Sequence, residues 1–141
     1  MNTIKVDEKF IITLFVRLAI GIAFISAVAD RFGMWGNAGD TNVAWGNFKL
    51  FVDYVAYLNP ILSSTLATLV SWVVTFLEVI LGVLLLFGIR LKIVSLVSAI
   101  LLLTFALSMT FIMGIKVPFD YSVFSGSAAA FLLYLFIKES E

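Results

Sequence analysis

Arg17 stands seven residues into an apolar run from Phe10 to Ala29, and Glu78 lies deep inside a second run from Leu66 to Phe87. A full charge in hydrocarbon costs roughly 2.5–3.5 kcal/mol on insertion scales, so such residues face a partner or a polar cavity. One basic and one acidic residue at these depths suggest a mutual pair. The neighbours support facing stripes. Ser71, Thr75, Glu78 and Gly82 recur at steps of four, three and four. Thr13, Arg17 and Gly21 recur at steps of four. Small and polar residues at helical spacing mark contacts between membrane helices. Arg17 lies about 10 Å above Phe10, and Glu78 about 15 Å above Gly88, at 1.5 Å per residue. An arginine side chain spans that difference, so an Arg17–Glu78 pair is expected. Two roles stay open for it. It is a device that sets helix register, or it lines a polar pocket for a head group, a small anion or a quinone carbonyl. Thr13, Ser71 and Thr75 belong to the same candidate pocket. Asp30 and Arg31, at the boundary of the first run, are read as interfacial charges and as a candidate entrance.

The chemistry available to these residues is narrow. The 141 residues include neither cysteine nor histidine. Thiolate catalysis, disulfide exchange, cysteine-ligated iron–sulfur clusters and histidine-bound haem are therefore outside the reach of the side chains. No metal site is expected, and no intrinsic redox centre. Net charge is zero, with no basic stripe for nucleic acid. The four methionines are scattered and read as packing.

The elements that hold the stripes follow from composition. Hydrophobic residues make up 62% and charged residues 13%, and mean hydropathy is +1.14. That is far from a soluble domain. The expected fold is all-α, an integral membrane four-helix bundle forming a single domain over residues 1–141. The spans are placed at about 10–29, 62–87, 93–113 and 121–137. Backbone groups unpaired in lipid force helices or a closed barrel, and these runs do not alternate as barrel strands do. Lys5 and Lys9 before the first span, with Ala27-Val28-Ala29 after it, imitate a signal peptide. The length of the apolar run and Arg17 within it argue for an uncleaved helix.

Between the first two spans the period changes. Trp45, Phe48, Val52 and Val55 recur at helical spacing, while Lys49 and Asp53 share the polar side. Residues 42–58 are read as an amphipathic helix in the outer interface, ended by Asn59-Pro60. Trp35, Trp45 and Phe48 are its interfacial anchors. Lys5, Lys9, Arg90, Lys92 and Lys138 fall on one side, against Arg31, Lys49 and Lys116 on the other. The balance places both termini in the cytoplasm.

Two segments carry a family resemblance. The first is Arg17-Leu18-Ala19-Ile20-Gly21-Ile22-Ala23-Phe24. The second runs Glu78-Val79-Ile80-Leu81-Gly82 through an aliphatic stretch to Gly88-Ile89-Arg90. In order and spacing these resemble the DoxX family of small bacterial membrane proteins. The loop Val43-Ala44-Trp45-Gly46-Asn47-Phe48 with Asn59-Pro60 is similar to the branch near the small DoxD-type subunit of thiosulfate:quinone oxidoreductase. The chain departs where a lysine often follows the family's first helix, since Asp30-Arg31 stands there. The resemblance implies the bacterial cytoplasmic membrane and a link to sulfur or oxidative-stress metabolism. The expected function is an accessory or quinone- or small-anion-binding subunit of a membrane redox system, with a quinone or lipid held in the bundle. The alternative is a non-enzymatic protein that binds lipid or assembles other proteins, and a small transporter ranks third. Expected partners are membrane lipid, a redox-enzyme subunit and further copies of the chain.

Overall fold

A computed structural model describes residues 7–140. Lys5, counted in the charge reading, lies outside the described residues. Among the described residues six helices follow in order: α1 (Glu8–Arg31), α2 (Phe48–Leu58), α3 (Ser64–Phe87), α4 (Leu91–Met113), α5 (Lys116–Asp120) and α6 (Val123–Lys138). Among the described residues there is no strand. Three helices, α1, α3 and α4, are long and apolar enough to cross a membrane. The shorter α6 has 16 residues and is also apolar.

The helix ends have local causes. Asp7 accepts from the Lys9 N–H at the start of α1, and Ser63 accepts from the Leu66 N–H at the start of α3. Gly88 ends α3 in the left-handed region at φ +74°, with Ile89 N–H bonded back to Leu84 O. Helix α2 begins at Phe48, six residues later than the expected 42. Asn47 is its cap and accepts from the Leu50 N–H at 2.9 Å. Residues 42–46 stay out of the helix because Asn42 and Gly46 have positive φ and the amides of residues 44–46 are committed elsewhere. The break at 114–118 contains the short α5, with Pro118 in its first turn, where proline is tolerated. Ser122 at φ +55° delays α6 to Val123.

Helix α1 packs on α3 and α4 on α6, and contacts between α1 and α6 and between α3 and α4 close the group. Helix α2 lies against α3 and α4. Two glycines bring α1 and α3 together: a Cβ on Gly21 would meet Gly82 O at 3.1 Å, and one on Gly82 would meet Gly21 O at 3.1 Å. The core includes Ile20, Phe24, Leu81, Leu85, Val94, Ala99, Ala130 and Leu133. Ser127 ties α6 to α4 by donating to Ala99 O at 2.8 Å. Ser95, Ser98 and Thr104 donate to carbonyls of their own helix, as expected where water is absent. Large apolar side chains point outward, among them Phe15, Phe76 and Phe111.

Candidate functional site

The buried carboxylate finds a cation, and that cation is Arg31. Arg31 Nη1 forms an ion pair with Glu78 Oε2, both side chains almost wholly buried. The expected Arg17–Glu78 pair does not form, and the register explains why. Gly21 faces Gly82, so the antiparallel course of α1 and α3 sets Arg17 opposite residue 86, about 12 Å from Glu78 at 1.5 Å per residue. Phe10 and Gly88 are therefore not at one height, which the depth comparison had required. Side chains on a helix also lean toward its N-terminus. Arg17 consequently leans away from Glu78, and Arg31 leans toward it.

Arg31 and Asp30 end α1 and serve opposite directions. The Arg31 guanidinium enters the molecule. Its Nη1 also donates to Thr75 Oγ1 at 2.9 Å. The Phe51 ring from α2 lies 3.6 Å from its Cζ, and the Trp45 ring lies 5.3 Å away. Aromatic faces attract a guanidinium most where water is excluded. Asp30 turns to the loop and accepts three successive amides, from Ala44 at 2.9 Å, Trp45 at 2.8 Å and Gly46 at 3.1 Å. The loop is thereby held so that Trp45 covers Arg31. Both residues are buried within the protein, at the end of α1. Arg31 Nε is buried without an acceptor, and Glu78 Oε2 has the ion pair with Arg31 but no hydrogen bond. A buried donor of this kind costs about 1–3 kcal/mol unless something bonds to it.

The structure thus gathers Asp30, Arg31, Thr75, Glu78 and Trp45. Phe48 lies one layer out, with its ring 4.2 Å from that of Trp72 and stacked at 5.6 Å on that of Phe32. Ser71 is buried on the same helix, but its hydroxyl donates to Ala67 O at 2.7 Å. Thr13 bonds Phe10 O within α1 at the far end. Trp35 is exposed, and its indole N–H reaches Ser26 Oγ at 3.1 Å. Phe51 was not a sequence candidate for the site. Its signal was its place on the apolar face of α2, beside Val52 and Val55.

Arg17 has a different task. Its Nε donates to Leu85 O at 3.0 Å and its Nη2 to Leu86 O at 3.2 Å. These are end carbonyls of α3, where the helix dipole is negative. Gly88 is required twice there. Its φ is positive, and a Cβ would fall 2.5 Å from Arg17 Nη2.

Among the described residues, no group of three Asp or Glu side chains is placed to hold a metal ion. The arrangement offers a desolvated guanidinium with one unused N–H, a carboxylate beside it and an aromatic cover. The unused N–H can donate to a hydrogen-bond acceptor. Comparison with protein-family models, curated proteins and solved structures finds no match.

Proposed function

We propose that the chain is a DoxX-like integral membrane protein of the bacterial cytoplasmic membrane. In this reading α1, α3, α4 and α6 are its four spans, α2 lies in the outer interface, and both termini are cytoplasmic. It acts as an accessory subunit of a membrane redox system and presents Arg31 to an acceptor oxygen of a quinone or a small anion. The redox cofactor belongs to the partner. The observation that carries this reading is the buried, unpartnered Arg31 Nε beside Glu78. Charged groups within apolar helices default to functional candidates. The order of Arg17, Gly21, Glu78, Gly82 and Gly88 supports the family reading.

The test is ligand content. The protein is purified in mild detergent from its native membrane with whatever subunits accompany it, and organic extracts are assayed for quinone. Arg31→Lys keeps the charge and removes the fork. Loss of a charged hydrogen bond should lower retained quinone about tenfold or more. Equal quinone in the variant and the native protein would reject the reading.

The closed cover of Phe51 and Trp45 favours a second reading, in which the pair pins the helices of an assembly or lipid-binding protein. Arg31→Leu combined with Glu78→Leu separates the two. A pin tolerates the apolar replacement and keeps partner binding, whereas a ligand site folds and fails.

A further inference from the structure

The rings around Arg31 do not stop at its cover. Phe51 lies against the guanidinium at 3.6 Å and is buried. Its ring is 6.1 Å from that of Phe48, and the Phe48 ring is 4.2 Å from that of Trp72. Trp72 is stacked at 5.8 Å on Phe76, one turn further along α3. Phe32, next to Arg31 in the chain, closes a triangle with Phe48 at 5.6 Å and Trp72 at 6.2 Å. Trp72 is 39% exposed and Phe76 60%. The ladder of rings therefore joins a buried cation to an open face of α3. Phe76 stands about 18 Å from Ser64 at 1.5 Å per residue, half-way along a helix of 24 residues. In a spanning helix that depth is hydrocarbon, not the interface where aromatic anchors collect.

The inner end of the ladder decides what it can deliver. Arg31 and Glu78 form an ion pair, so together they carry no net charge. A small anion would gain one N–H there, meet the Glu78 carboxylate and lose its hydration along an apolar approach. Desolvating an ion costs far more than desolvating an uncharged polar group. An uncharged carbonyl oxygen needs only the unused Nε N–H, and a flat conjugated ring stacks on aromatic faces. We propose that the ladder Phe76, Trp72, Phe48 and Phe51 is a lateral entrance from the bilayer to Arg31, and that it selects an uncharged planar ring bearing a carbonyl oxygen over a small anion. Trp72 and Phe48 hold the ring on its way in. Phe51, closed over Arg31 in this structure, turns aside to let the carbonyl reach Nε. The proposal rests on the ligand-binding reading of Arg31, narrows the ligand to the quinone class and adds its route.

The test uses the full chain in phosphatidylcholine nanodiscs, with decylubiquinone as the uncharged ring and sodium sulfate as the small anion. Equilibrium binding is read by the shift in unfolding temperature, and association of decylubiquinone by stopped-flow quenching of tryptophan fluorescence. Decylubiquinone should bind and raise the unfolding temperature, and sulfate should do no more than sodium chloride of equal ionic strength. Phe48→Leu and Trp72→Leu each remove a ring and keep an apolar side chain. Each should slow association about fivefold, whereas Phe48→Tyr and Trp72→Phe keep the ring and should stay within about twofold of the native rate. Trp35 and Trp45 remain as reporters in the Trp72 variants. Arg31→Lys should weaken decylubiquinone binding. If it does so while the leucine variants associate at the native rate, the Arg31 site stands and the entrance is overturned, the rings being lipid anchors only. Stabilisation by sulfate and not by decylubiquinone would keep Arg31 as a binding site and overturn the ligand class. Binding of neither probe would overturn the proposal together with the reading of Arg31 on which it rests.

Discussion

Removing Arg31 strands a carboxylate, and removing Glu78 strands a guanidinium. Breaking a buried pair costs about 3–5 kcal/mol. The two losses are unequal, because a lone carboxyl can take up a proton while arginine cannot release one. Glu78→Leu should therefore lower stability more than Arg31→Leu. The double variant should recover most of the loss, since two leucines leave no charge behind. Unfolding temperature in detergent checks this as a double-mutant cycle, and coupling should be strong. The cycle of Arg17→Leu with Glu78→Leu is the control. Arg17 bonds to Leu85 and Leu86 carbonyls rather than to Glu78, so those two losses should add. Coupling in the second cycle and none in the first would reverse the assignment.

At the scale of elements, the segment between α1 and α2 depends on one carboxylate. Asp30 takes the amides of Ala44, Trp45 and Gly46, and their fixed course sets Trp45 over Arg31. A hydrogen bond to a charged group contributes about 1.5–3 kcal/mol. Asp30→Ala should raise amide hydrogen exchange at residues 44–46 by at least about tenfold. Exchange in the middle of α4 and α6 should stay slow, since those helices hold each other through Ala99, Ser127 and Ala130. Uniformly faster exchange across all helices would mean that Asp30 supports the whole fold and not this loop. The same paired logic explains α2. Asn47 caps it, and Phe51, Val55 and Leu58 bury its inner face, while Lys49 and Asp53 pair outside at 2.7 Å.

For the molecule as a whole, the proposed topology makes a labelling pattern. The chain has no cysteine, so single cysteines report without background. Lys49→Cys on the exposed side of α2 should react with an impermeant thiol reagent from the non-cytoplasmic side of intact cells. Val55→Cys, buried under the same helix, should resist the reagent until the protein is denatured. Reaction at position 49 only from the cytoplasmic side would invert the orientation drawn from lysine and arginine counts.

The helices themselves are decided locally. Long apolar runs without alternation have one backbone solution in lipid, and Asn59-Pro60 and Gly88 mark breaks that the sequence shows. That α1, α3 and α4 are long apolar helices, and that Glu78 needs a cation, follow from the amino-acid order alone. Which cation it takes does not. The answer depends on how α1 slides against α3, and that offset is set where Gly21 and Gly82, 61 residues apart in the chain, let two backbones touch. Residue depths counted from the ends of apolar runs miss it, because the runs start at different heights. The conformation of residues 42–47 is equally non-local. Their periodicity continues that of α2, but Asp30, more than ten residues earlier, captures three of their amides and prevents the helix from extending. Hydrogen bonds between distant residues outweigh local preference there, and they bring Trp45 onto a charge that the sequence had placed at the boundary of the first span.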